Sequence, residues 1–145
     1  MDKIFFILFL IFSFHSQSNE KIEINADQFT YDKENTRIYA TGNVEIIDQE
    51  FKLYANKVFV NNESKVLSAR ENIKIFNVDG SILKADKIVA DNTLENALIE
   101  NNHIYIPRIY KKEKKYLRLA AKKVERRNKD WEQLEYGTFI ACDLC

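Results

Sequence analysis

From residue 22 onward, apolar residues recur at every second position, and the run repeats itself about every thirty residues. Ile22/Ile24/Ala26, Phe51/Leu53/Ala55, Val58/Val60, Ile73/Ile75 and Leu83/Ala85 each keep the period of a β-strand, with polar partners such as Glu23, Asn25, Lys52, Asn56, Lys57, Lys74 and Lys84 between them. Helical spacing fits none of these runs. Three segments align: Ala26-Asp27-Gln28-Phe29-Thr30-Tyr31, Ala55-Asn56-Lys57-Val58-Phe59-Val60 and Ala85-Asp86-Lys87-Ile88-Val89-Ala90, at spacings of 29 and 30 residues. In the first two units the tails match as well, Ala40 to Ile46 against Ala69 to Ile75. A fourth unit, Ala121 to Val124, is weaker and displaced. Turn-forming residues separate the runs at Asp32 to Asn35, Asp48-Gln49, Asn61 to Ser64, Asp79-Gly80-Ser81, Asp91-Asn92 and Asn101-Asn102.

Each repeat also carries a mechanical instruction. Ile24 and Ala26 are even-numbered while Phe29 and Tyr31 are odd, so the apolar phase slips at the Ala-Asp step and the strand must bulge or turn a corner there. Corners repeated along the chain predict an all-β fold in which an antiparallel sheet doubles over on an apolar interior. The same alternation fits an ordinary closed sandwich whose apolar face is only core.

With 145 residues, the chain is long enough for one modest core. Residues 1–18 read as an export signal: Lys3 begins it, Ile4 to Phe14 are apolar apart from Ser13, and Ser16 and Ser18 suit cleavage before Asn19. The competing reading is an uncleaved anchor, for which an apolar run of about eleven residues is short against the roughly 20 a bilayer span needs. Export would place Cys142 and Cys145 in an oxidising compartment.

The 22 basic and 22 acidic residues balance, so total charge points to no strongly acidic or basic partner. Their distribution is uneven. Between Arg108 and Lys129 lie eleven Lys or Arg residues against only Glu113 and Glu125. That segment suits either anionic lipid and phosphate or a solvated strand pair with snorkelling side chains.

The motif Ala-Asp-x-Phe-x-Tyr…Ala-x-Gly-Asn-Val, from Ala26 to Val44, resembles the OstA-type (organic solvent tolerance) domain of the lipopolysaccharide transport proteins. The C-terminal stretch Leu119 to Val124, then Leu134 to Cys145 with its Phe-x-Ala-Cys-x-x-Cys, is similar to the end of the N-terminal domain in that family's outer-membrane assembly member. The resemblance implies an OstA-like β-jellyroll with an open groove over residues 19–141, and residues 142–145 at the start of a linker to a membrane β-barrel, the chain being either a fragment of a longer protein or a truncated gene product. It further implies a lipid conduit at the outer membrane, with this domain in the periplasm and lipopolysaccharide as ligand. The implied partners are a periplasmic bridge protein stacked edge to edge and, through the missing barrel, an outer-membrane lipoprotein plug. No nucleic acid, cofactor or metal is implied.

The expected lipid-lining residues are Ile24, Phe29, Tyr31, Val44, Ile46, Phe51, Leu53, Val58, Val60, Ile73, Ile75, Leu83 and Ile88, with plain core packing as the alternative for each. Ile22, Ile24 and Ala26 are the expected docking edge, because they come first in the exported chain. Cys142 and Cys145 are expected in structural disulfides. The resemblance suggests partners beyond the barrel, while a strained bridge between the two is the local alternative. A redox pair lacks the following helix that would lower a thiol pKa, and two thiolates do not complete a zinc site. With glycine only at positions 42, 80 and 137, there is no phosphate-binding loop, and no nucleophile elbow or zinc-protease helix occurs, so an enzyme is not expected. Two further functions compete: a free periplasmic bridge, and a polyanion-binding adhesive β-repeat protein using Arg108 to Lys129.

Overall fold

The computed structural model describes residues 22–34, 36–129 and 131–142, without the side chains of 131, 141 and 142. The expected export segment lies outside these residues, as do the side chains of both cysteines. All secondary structure among the described residues is strand: β1 (Glu23–Asn25), β2 (Gln28–Asp32), β3 (Arg37–Ile47), β4 (Phe51–Asn61), β5 (Val66–Asn77), β6 (Ile82–Asp91), β7 (Ala97–Tyr110), β8 (Glu113–Arg127), β9 (Trp131–Glu135) and β10 (Thr138–Cys142). They form one antiparallel sheet in which β3 to β8 pair in chain order. At one edge β1 and β2 both pair with β3. At the other, β9 and β10 both pair with β8.

This branching at both edges follows from the corners. The register shifts between Thr41 and Val44 of β3, between Tyr54 and Lys57 of β4, and between Arg70 and Ile73 of β5. Each long strand therefore contributes one half to a first layer, which also holds β1 and β10, and the other half to a second layer with β2 and β9. Backbone at the corners adopts positive φ at Gly42, Asn43, Glu71, Asn72 and Asn101. Side chains from the Ala-Asp steps fasten it: Asn43 Nδ2 donates to Asp27 Oδ2 (3.0 Å) and Asn101 Nδ2 to Asp86 Oδ2 (2.9 Å). Asn101-Asn102 is thus not the turn that composition predicts but a bend inside β7. There the buried Asn102 accepts the Ala121 backbone N–H on its Oδ1 (3.0 Å), supplying a partner where the ladder is interrupted.

Turns at the free margins open on an Asp or Asn that caps its own backbone. Asp32, Asp48, Asn61 and Asp79 each accept an N–H two residues on. The margins of the two layers meet where Lys129 Nζ reaches Glu50 Oε2 (2.7 Å), and its backbone N–H donates to the Glu95 carbonyl (3.0 Å). The doubled sheet is thereby a flattened tube. Its axis crosses the strands, so eight strands at about 4.8 Å spacing give it a length of about 34 Å.

Asp91 illustrates how the turns are held. Burial works against its charged form, yet hydrogen bonds from the Asn96 and Thr93 side chains and from the Asn96 and Glu95 backbone keep the carboxyl below its ordinary pKa of 3.8. Because the folded pKa is depressed, the stabilisation is complete above the unfolded value and disappears as pH falls through the folded one. Asp91→Ala is expected to lose about 1–2 kcal/mol in urea unfolding at neutral pH. The gap from the parent should shrink below pH 3.8.

Candidate functional site

The apolar side chains of the tube lining are set by register, because residues directly opposite across an antiparallel pair share a face. In the second layer one row runs Phe29, Ala40, Val58, Ala69, Ile88, Ile99, Val124, Leu134. In the first layer a matching row runs Ile24, Ile46, Leu53, Ile75, Leu83, Ile104, Leu119, Phe139. Neither row contains a polar residue. Each crosses the whole sheet from one edge to the other.

Nine of the thirteen expected lining residues (Val44, Ile46, Phe51, Leu53, Val58, Ile73, Ile75, Leu83 and Ile88) are buried in the single apolar cluster between the layers. Ile24 and Val60 are half-buried against it. Phe29 and Tyr31 also lie on the inner face, opposite Ala40 and Ile38, but are 51% and 54% exposed because β2 is an edge strand with no strand beyond it among the described residues. The opposite edge behaves alike: Phe139 is 61% and Leu134 37% exposed at the ends of their rows. In the middle of the tube the two layers fill the space with their own side chains, and the apolar lining becomes accessible at its two ends.

At the β1/β2 end the layers part around a cavity of about 190 Å³. Ile24, Ile46 and Phe51 line it from one layer, Ile38, Val60 and Leu67 from the other. Asn61, Asn62, Lys65 and Asn92 border it as well, so the mouth joins an apolar floor that suits a hydrocarbon to a polar rim. Ile22 and Ile24 line it on and beside β1, whose one backbone neighbour among the described residues is β3, and Ala26 packs against the core cluster.

Sequence reasoning stopped at Ile88 and missed the C-terminal half of the lining: Ile99, Ile104, Leu119, Val124, Leu134 and Phe139. The signal was present, since Ala97/Ile99 and Ile104/Ile106 keep period two with a phase slip at Asn101-Asn102. Decay of the repeat after Leu94 hid it. The basic segment is divided by the structure. Arg126, Arg127 and Lys129 pair with Glu132, Glu125 and Glu50 at 2.5–2.7 Å and Lys123 with Glu135 at 3.4 Å, while Arg108 to Lys115 stand at the tip of the β7–β8 hairpin. No group of three or more His, Cys, Asp or Glu residues able to hold a metal occurs among the described residues.

Comparison with known proteins agrees with this geometry. Residues 23–134 match the family model described as LptA/(LptD N-terminal domain) LPS transport protein. No curated protein matches in sequence. Among solved structures, the chain is similar to LptH, the LptA-homologous periplasmic component of the lipopolysaccharide transport device of Pseudomonas aeruginosa. The TM-score is 0.62 at 12% identity, covering 83% of this chain and 94% of that one. The likeness bears out the expected jellyroll-like fold.

The corner at Gly42 holds the β1/β2 end in shape. A Cβ there would lie 2.4 Å from Asp27 Oδ2, and φ is +76°. Gly42→Ala is expected to cost about 2 kcal/mol, from the left-handed backbone and the displaced Asp27 together. Amide exchange should accelerate in β1 and β2 before the central strands.

Proposed function

Because the chain belongs to the family of lipopolysaccharide transport proteins that comprises LptA and the LptD N-terminal domain, we propose that it passes the acyl chains of lipopolysaccharide along its interior from one edge to the other. The carrying observation is the pair of unbroken apolar rows, buried in the middle and exposed at both ends. Hydrocarbon moved through water exposes apolar surface at about 25 cal/mol per Å², and an apolar lining removes most of that barrier. For the chains to enter, the two layers must separate by a side-chain layer, which the weakly joined margins at Lys129 and Glu50 permit. The family is one of transport components, and the apolar lining offers no reactive groups.

The β1 edge is the proposed entry. Its outer backbone groups are positioned to accept a strand from a periplasmic bridge protein, which would make the two apolar interiors continuous. The β9/β10 edge then faces the outer-membrane side, with Cys142 leading toward a barrel and its disulfides, and the lipoprotein plug reached through that barrel. In this reading the chain is the periplasmic entrance of the outer-membrane assembly protein.

Two experiments test the proposal. The photoreactive residue p-benzoylphenylalanine, placed in living cells at Phe29 or Phe139 on the inner face, should give lipopolysaccharide adducts, and at Phe76 on the outer face none; equal labelling at all three would refute the conduit. At Asn25 the same residue should crosslink to the bridge protein, and labelling only at the opposite edge would reverse the direction of transfer. Immunoblots of membrane and soluble fractions, with and without heating and reductant, address the assembly-protein assignment. A membrane-bound band well above 17.1 kDa that shifts on both treatments is expected. A soluble band near that mass would assign the chain to the bridge instead.

A further inference from the structure

On its β6 side the β7–β8 hairpin outgrows the sheet that supports it. Pairing of β6 with β7 ends at Ile82 and Tyr105, and the described pairing of β10 with β8 runs to Cys142 and Tyr116. Beyond Pro107 and Tyr116 the two strands, among the described residues, pair with each other, as Arg108↔Lys115, Ile109↔Lys114 and Tyr110↔Glu113. Three pairs at about 3.4 Å per residue, plus the turn, carry the tip about 10 Å past Pro107 and further past the end of β6.

Within those eight residues stand Arg108, Lys111, Lys112, Lys114 and Lys115 against the single acid Glu113. Ile109 is 85% and Tyr110 54% exposed. Lysine ammonium groups ring the aromatic side chains, with Lys111 and Lys115 at 5.3 and 5.4 Å from the Tyr110 centroid and Lys114 at 5.4 Å from that of Tyr116. Arg108 and Lys115 are like charges directly across the ladder, which destabilises a strand pair. Lys111 and Lys112 both take positive φ, in a two-residue turn that favours Asn-Gly.

We propose that this arm is a membrane-docking element that inserts Ile109 and Tyr110 at the surface of an anionic phospholipid bilayer while its basic residues hold lipid phosphates. Exposed aliphatic and aromatic groups at a tip, flanked by cations on long stems, match the two-part chemistry of an interface: apolar at acyl depth, anionic at headgroup depth. A soluble anion would need a concave cup, whereas this arm is convex, with Lys111 and Lys112 in its turn and the exposed Ile109 and Tyr110 directly behind them. The inference goes beyond the conduit reading and stands apart from it, since the test contains no lipopolysaccharide.

The full chain would be floated with phosphatidylcholine vesicles containing phosphatidylglycerol, and with phosphatidylcholine vesicles alone. Binding to the anionic vesicles only is expected, lost near 1 M salt, where the Debye length is about 3 Å. Lys111→Gln with Lys112→Gln should weaken it about thirtyfold, at roughly fivefold per cation near the surface. Ile109→Trp in a Trp131→Phe background should shift its emission to the blue on those vesicles. The arm contributes nothing to the buried cluster, so the substitutions at Ile109, Lys111 and Lys112 should leave unchanged the unfolding midpoint of the protein into which each is introduced. The proposal is overturned if the parent binds neither vesicle, binds both equally, or is unaffected by the double substitution. It is also overturned if inorganic phosphate releases the protein at an ionic strength where chloride does not, which would make the arm a site for soluble phosphate.

Discussion

Everything in this fold depends on the corner at which each strand changes layer. A straight strand of alternating residues has one apolar face, and a sheet of such strands would leave that face in water. Inserting a residue at the Ala-Asp or Ala-Asn step slips the phase and bends the strand, so that the two halves of the same face look at each other across the fold. The corners stack because neighbouring strands share them: Asp27 on Asn43 and Asp86 on Asn101 bind side chain to side chain, and Lys57 reaches Glu71 (2.6 Å) between them. One sheet thus supplies both walls, and the core needs no helix or second sheet to cover it.

That logic was largely legible in the sequence. Period two gave the strands, the Asp and Asn residues gave most of the turns, and the slip between Ile24/Ala26 and Phe29/Tyr31 gave the corner, each through a local constraint on backbone geometry. Asn101-Asn102 was misread because a left-handed Asn serves a bend inside a strand as readily as it serves a turn. Only pairing tells them apart, and pairing is non-local. For the same reason the sequence could nominate Phe29 and Tyr31 as inward-facing without showing them exposed, since exposure depends on what lies beyond the edge and not on period.

Charge placement was the least legible part. A balanced total concealed a division: the basic residues of the second layer's margin found acids on β9 and on the Glu50 turn, while those at the hairpin tip stand apart from the sheet. Alternation cannot reveal this, since Arg126 and Lys114 occupy similar positions in the pattern. What separates them is the residue that the neighbouring strand sets opposite: β9 places Glu132 against Arg126, whereas β7 places Ile109 against Lys114.

A sheet that conducts apolar cargo along its own axis meets a conflict at its ends. Capping them with polar side chains would protect the edges from random pairing but would interrupt the rows that make passage possible. Here the rows stay apolar to the last strand, and protection comes from the strands that end them: among the described residues β1 is three residues long, β2, β9 and β10 five each, and Glu23, Asn25, Gln28, Gln133 and Glu135 alternate with the inward residues on three of them. Short edge strands bearing charge offer little to an arbitrary partner. They still offer a complete register to another sheet that doubles over in the same way, because only such a sheet presents two strands at once, one for each layer. On the proposed function, selectivity for a like-folded neighbour comes from that double match, and the exposed aromatic residues at the ends of the rows are where the two interiors would join.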